Sequence, residues 1–157
     1  MAVNKEISEA AKKIVQGVCV ISTVHEGRVN AMTAAWVSRV SFVPPLVMVA
    51  VGPTRFTHDM IRDSGVFAVN ILGPDNVETG RHFGLKTGRR TDKFAGVDYD
   101  TGVTGSPVLR DCVAWLDCRV YWQKEAGDHT VFIGEILDGG VTGETAALVY
   151  DREEFFR

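Results

Sequence analysis

Short β-branched runs recur along the chain, and nearly every one is cut off by a glycine or proline turn. Val18 to Val24 is turned by Glu26-Gly27 into a second run from Arg28, a hairpin signal. Trp36 to Val40 precedes a Pro44-Pro45 break, and Leu46 to Val51 ends at Gly52-Pro53. Val66 to Leu72, His129 to Leu137 (after the Gly127-Asp128 turn) and Ala146 to Tyr150 supply further strands. Ala114, Leu116, Cys118, Val120 and Trp122 are apolar at period two, opposite Val113, Trp115, Asp117, Arg119 and Tyr121. That alternation predicts a long strand with one buried face. Helical spacing is confined to three places: Ile7, Ala10, Ala11, Ile14 and Val15; Thr54 to Ser64, closed by Gly65; and parts of Asp75 to Arg90, otherwise a polar loop. Repeats, linkers and low-complexity tracts are absent from the sequence, so residues 1–157 are expected to form a single mainly β domain with short helices. An antiparallel barrel is the natural closed arrangement for it.

Composition narrows the function classes. Lys+Arg 17 against Asp+Glu 20 gives a net charge of −3, without the broad basic footprint of a nucleic-acid binder. No run approaches the ~18–20 apolar residues of a membrane span, and the polar N-terminus lacks a hydrophobic signal region. Cys19, Cys112 and Cys118 form an odd set without CxxC or ligand-like spacing, which predicts reduced, buried thiols in a cytoplasmic protein and no metal site.

Four segments could carry chemistry. At Thr54-Arg55-Phe56-Thr57 a strand gives way to a helix, so free backbone N–H groups, a guanidinium and a hydroxyl could take a phosphate. Equally, Thr54 could simply cap the helix and Arg55 be a solvated charge. In Asn30-Ala31-Met32-Thr33-Ala34-Ala35-Trp36, small residues would let a flat ligand lie against backbone, while Trp36 could equally be core. Gly127-Asp128-His129 delivers an imidazole to a strand start, where it could meet a ligand or stay structural. Thr87 to Phe94 concentrates cations around Gly88, either a second phosphate contact through Lys93 or a solvated loop. His25, His58 and His82 lack metal-ligand spacing and receive no role. Neither Ser–His nor Cys–His pairing is visible, so nucleophilic catalysis has no support.

Taken in order, these pieces resemble the flavin reductase-like family of FMN-binding split barrels over nearly the whole chain. The segments concerned are Asn30-x-Met32-Thr33-Ala34-x-Trp36, Val40-Ser41 with Pro44-Pro45-Leu46, and Arg55-Phe56-Thr57 with Ile61. Phe67-x-Val69-Asn70-Ile71-Leu72, Asp92-Lys93-Phe94-x-Gly96 and Ser106-Pro107-Val108-Leu109 follow. Leu116-x-Cys118, Gly127-Asp128-His129-x-Val131-Phe132-Ile133-Gly134-Glu135 and Ala147-Leu148-Val149-Tyr150 complete the set.

The resemblance implies a six-stranded antiparallel split barrel that forms a homodimer with one FMN per subunit at the interface. It implies hydride transfer from NADH or NADPH to the flavin, with free flavin or a ferric chelate as acceptor and a monooxygenase as a partner in some cases. A flavoredoxin-like electron carrier is the alternative. Carried over by position, Asn30, Met32, Thr33, Ala34 and Trp36 would lie along the ring and ribityl chain, with the Val51 backbone beside the ring. Arg55 and Thr57 would take the phosphate, Lys93 would approach from the basic loop, and His129 would orient the nicotinamide. One departure from the family pattern is at the end: several members run on with an aromatic tail that touches the flavin, whereas this sequence stops at Glu153-Glu154-Phe155-Phe156-Arg157, which leaves open whether Phe155 or Phe156 substitutes. GxGxxG is absent, and members of the family bind nicotinamide against the flavin without such a loop.

Overall fold

In the computed structural model, which describes residues 4–157, helix α1 (Lys5–Ala11) precedes the hairpin of β1 (Cys19–His25) and β2 (Arg28–Ala34). Next come β3 (Val37–Ser41), β4 (Leu46–Val51), α2 (Phe56–Ser64) and β5 (Val66–Ile71); a 3-10 turn at Pro74–Asn76 leads into α3 (Val77–Gly84). The chain continues with β6 (Tyr99–Thr101), β7 (Pro107–Leu109), β8 (Ala114–Ala126), β9 (His129–Val141) and α4 (Arg152–Phe155). Glu26 and Gly27 both take positive φ, 49° and 77°, the geometry of a tight hairpin turn matched to strand twist.

One antiparallel sheet runs β2-β1-β5-β8-β9-β4-β3, with β6-β7 as a separate hairpin. It has seven strands, where six were expected, and it does not close. The extra strand is β3, which folds back across Pro44-Pro45 and pairs only with β4. Consequently β2 and β3, joined by just Ala35-Trp36, form the two unpaired edges of the sheet.

Both faces of the sheet are packed around β1, β2 and β5. Inside, Ile21, Val49, Val51, Ile61, Phe67, Cys118 and Phe132 fill the curl of the sheet. Outside, Val18, Val20, Ala31, Leu72, Phe83, Phe94 and Leu109 form a second core. Polar groups caught between the layers are bonded. Asn70 Nδ2 donates to Val20 O and Ser22 Oγ, both at 3.0 Å, and its Oδ1 accepts from Leu109 N at 2.8 Å. Asn70 therefore ties β7 to the main sheet.

Several elements depart from the sequence pattern. α1 ends at Ala11, so Ile14 and Val15 lie beyond it, and none of its residues is buried. α2 starts at Phe56 with Arg55 in the cap position and no side-chain cap bond, so Thr54 does not cap it. Residues 146–150 form no strand. That segment bonds to two places at once, Leu148 O accepting from Val18 N and Leu148 N donating to Leu72 O, which allows only an isolated Gly17–Val149 bridge. On β8 the alternation fails twice. Asp117 is fully buried on the face opposite Cys118 because Thr104 covers it, donating from N and Oγ1 at 2.9 and 2.6 Å. Trp122 is half exposed, since an extra residue at Tyr121 shifts the pairing with β9 and turns it to the outer face.

Asn70→Ala leaves the Leu109 amide without its acceptor in a dry layer and removes one donor to the Ser22 hydroxyl, which keeps its own bond to Pro107 O. The expected loss is about 2 kcal/mol, read as a lower denaturant midpoint at unchanged slope.

Candidate functional site

The open edge of β2 borders a cleft of about 210 Å³. Asn30, Met32 and Thr33 come to it from β2, Thr54 to Thr57 from the start of α2, Phe83 and Gly84 from the end of α3, and Lys86 to Gly88 with Lys93 from the following loop. An unpaired strand edge presents backbone N–H and C=O groups outward. The uncapped start of α2 adds N–H donors and the positive end of a nine-residue helix. Side-chain bonds pin the walls: Asn30 Nδ2 donates to Thr57 Oγ1 at 2.9 Å, and Thr33 Oγ1 to Gly80 O at 2.6 Å.

The loop after α3 is closed onto this cleft. Arg28 donates to Gly88 O at 2.6 Å, and a Cβ on Gly88 would collide with the Asn30 carboxamide, so glycine is needed for that approach. Arg28 and Arg89 both lie over the Phe56 ring, at 4.5 and 5.0 Å from its centre.

Lys93 is the unusual cation. It is only 4% exposed, and its ammonium donates to Ala31 O at 2.8 Å and Phe83 O at 2.9 Å. Burial, with the positive charge of Arg55 as a second cause, pulls its pKa down to about 8. The solvated-loop reading of this segment therefore fails at Lys93, which anchors the loop to β2 and α3 while bordering the cleft.

Of the residues singled out from the sequence, Asn30, Met32, Thr33, Arg55, Thr57 and Lys93 meet in the cleft. Ala34 and Val51 point into the inner core. Trp36 and His129 lie outside the cleft and face one another, ring centres 4.5 Å apart, with His129 Nδ1 2.7 Å from Asp128 Oδ1. The imidazole in turn holds the Asp128 carboxyl below its ordinary range. Phe155 is buried against Gly80 and Leu72 in the second core, and Phe156 is exposed; neither lines the cleft. Sequence reasoning missed Phe56, Phe83 and Lys86 as cleft residues. Lys86 lies one residue before the cationic Thr87 to Phe94 segment, the one hint of it in the sequence.

A larger hollow, about 550 Å³, lies past α3 and has Glu78, His82, Asp98, Arg110 and Asp111 on its rim. Its mostly acidic rim does not suit an anion, unlike the smaller cleft. All three cysteines are free and buried, with burial pushing Cys19 and Cys118 to about 12, far from a reactive thiolate. Among the described residues, no helix is long and apolar enough to span a membrane, and no cluster of three or more His, Cys, Asp or Glu side chains is arranged to hold a metal ion.

Comparison with known proteins gives a family profile, the flavin reductase like domain, matching residues 11–157. A flavin reductase from Pseudomonas putida is 32% identical over 137 residues, covering 87% of this chain and 79% of that protein. A ferric-chelate reductase (NAD(P)H) from Archaeoglobus fulgidus is 31% identical over 144 residues, covering 90% of this chain and 85% of its own. Some relatives are longer: the chain spans 46% of an uncharacterized Aeropyrum pernix protein and 25% of a Synechocystis diflavin flavoprotein. Among solved structures, the flavin reductase PheA2 superposes with a TM-score of 0.82 at 34% identity, 94% of each chain covered. Flavoredoxin from Methanosarcina acetivorans gives 0.77 at 27%, covering 90% of this chain and 74% of that one.

Lys93 makes stability depend on pH. Its folded pKa of about 8 lies below the unfolded value of 10.5. Below pH 8 both states carry the proton; between 8 and 10.5 the unfolded chain binds more, so this group's contribution rises with pH. Relative to Lys93→Met, the wild-type protein gains about 2 kcal/mol over that window, measured by urea unfolding at pH 7, 8.5 and 10. A gap that does not change with pH contradicts the buried-ammonium description.

Proposed function

The chain belongs to the flavin reductase-like family, and from that premise we propose that it is an FMN-dependent oxidoreductase that accepts hydride from NAD(P)H and passes electrons to free flavin or a ferric chelate. The observation that carries this reading is the cleft itself: an uncapped helix start, Arg55, Thr57 and Lys93 converging beside an open strand edge. Those donors match a phosphate ester. Bound FMN supplies the two-electron acceptor; the protein supplies binding, orientation and charge.

In this proposal Arg55, Thr57 and the α2 amides hold the phosphate, and Asn30, Met32 and Thr33 run along the polyol. Ala34, the Val51 backbone and Trp36 border the ring, which extends beyond the cleft. The cleft volume supports that division, since pockets for whole drug-sized ligands run to ~300–1,000 Å³ and this one is about 210 Å³. His129, beside Trp36, orients the nicotinamide. As an imidazole hydrogen-bonded to Asp128, it holds a fixed ring plane and leaves Nε2 for the incoming carboxamide.

A homodimer completes the proposal. Trp122, half exposed, and Met48, partly buried, stand in register on either side of the buried Ile133 across β8, β9 and β4. Phe42 and Val43 are 75% and 92% exposed beyond β3, and Trp36 is 48% exposed. This apolar surface suits a second copy of the chain, which would cover the ring end of the site.

A flavoredoxin-like carrier is the second reading, supported by the similarity to that protein. Anaerobic mixing of the FMN-loaded protein with NADH or NADPH separates the two. Rapid bleaching of the flavin absorption is expected, and tightly bound flavin that stays oxidised with both nucleotides favours the carrier. Arg55→Ala should weaken FMN binding roughly tenfold or more, whereas His129→Ala should slow reduction more than it weakens FMN. Sedimentation at micromolar concentration should give a dimer; a monomer counts against a site covered by a second copy.

A further inference from the structure

His58 follows Thr57 on α2, yet its side chain turns away from the cleft toward β9. Its Nε2 lies 2.8 Å from Thr130 Oγ1 and its Nδ1 3.1 Å from Asp59 Oδ1; His58 and Thr130 are both buried. Phe132, two residues along β9, packs edge-on to the ring at 5.4 Å. An ionised Asp59 can only accept, so Nδ1 carries a proton there, while Nε2 bonds the Thr130 hydroxyl. Asp59 is held in turn by Arg62 at 3.3 Å and by Arg89 at 3.4 Å, the latter reaching from the loop over the cleft. The His58 hydrogen bond, reinforced by Arg89 and Arg62, keeps that carboxyl below its usual range.

Thr130 is the residue after His129. It lies in register with Val51 on β4 and Glu125 on β8, so it marks where β9 enters the sheet. Two successive residues of α2 thus grip two parts of the site: Thr57 bonds Asn30 in the cleft, and His58 bonds Thr130, the chain neighbour of the His129 that faces Trp36.

We propose that His58 is a positioning residue for hydride transfer, its hydrogen bond to Thr130 setting the His129 ring relative to the phosphate-holding end of α2. The inference rests on the functional reading above, in which His129 orients the nicotinamide. A histidine that merely satisfies its buried neighbours would contribute to stability alone, and side chains of matched reach tell the two apart. Asparagine reproduces the Nδ1 contact with Asp59 but falls short of Thr130; glutamine reaches Thr130.

His58→Asn and His58→Gln are compared in the FMN-loaded protein by stopped-flow reduction with NADH and NADPH and by FMN titration. The His129 imidazole resonances are followed by NMR in the flavin-free protein. Small displacements of an orienting group cost up to about a hundredfold in rate. H58N is expected to slow reduction at saturating nucleotide about tenfold, with FMN affinity within roughly twofold and the His129 resonances shifted. H58Q restores both the rate and the resonances. Thr130→Val, which removes the hydroxyl at nearly constant volume, must reproduce the H58N pattern and serves in its place if H58N does not fold. Equal rates in H58N and H58Q, a wild-type rate in T130V, or unmoved His129 resonances overturn the proposal. If neither nucleotide reduces the wild-type protein, the functional reading fails, and the NMR comparison still decides whether His58 positions His129.

Discussion

The two edges of the sheet, β2 and β3, are consecutive in the chain and yet do not pair, and the candidate site depends on that gap. Had they bonded, the barrel would close and the polar backbone edge of β2 would be consumed in a ladder. Because β3 spends its hydrogen bonds on β4, β2 keeps a free edge, and the start of α2 and the loop after α3 close around it. An exposed strand edge is ordinarily a liability that proteins cover. Here Gly88 lies directly against Asn30, with Arg28 holding the loop by the Gly88 carbonyl, so part of that edge is covered by the elements that build the cleft.

The electrostatics of the cleft run against the charge of the whole chain. A protein of net charge −3 gathers Arg55, Lys86 and Lys93 around one small cleft, with Arg28 and Arg89 stacked on Phe56 at its border. Several of these cations are already engaged. Lys93 is bound to two carbonyls, and Arg89 is paired with Asp59. Arg55 makes no ion pair among the described residues, and it sits at the cap position of a helix that no side chain caps. The least committed cation therefore coincides with the least satisfied backbone donors, the arrangement an anion would complete.

Much of the strand framework was legible because β-branched runs bounded by Gly and Pro have few alternatives. The cleft was legible in part. Asn30, Met32, Thr33, Arg55, Thr57 and Lys93 do converge, and the family resemblance extends over the residues that the profile covers. The failures have local causes. Ala146 to Tyr150 looks like a strand but divides its hydrogen bonds between the ends of β1 and β5. Trp122 follows the alternation on paper, and a bulge at Tyr121 turns it outward. Asp117 reads as a solvent-side carboxylate, and a loop thirteen residues earlier covers it. His58 showed no pattern at all, because its partner Thr130 lies 72 residues away.

The amino-acid order by itself determined the antiparallel β class, the hairpin at Glu26-Gly27, the absence of a reactive-cysteine pattern, and the positions from which Asn30, Arg55 and Thr57 reach the cleft. These rest on local rules of periodicity, turn chemistry and helix starts, which act over a few residues. Tertiary structure alone decided that the sheet stays open, that Lys93 is buried between two carbonyls, that Phe155 packs in the second core, and that His58 grips Thr130. Each depends on groups far apart in the chain meeting in a dry interior, where an unpaired polar group is costly. No local pattern records which distant partner relieves that cost.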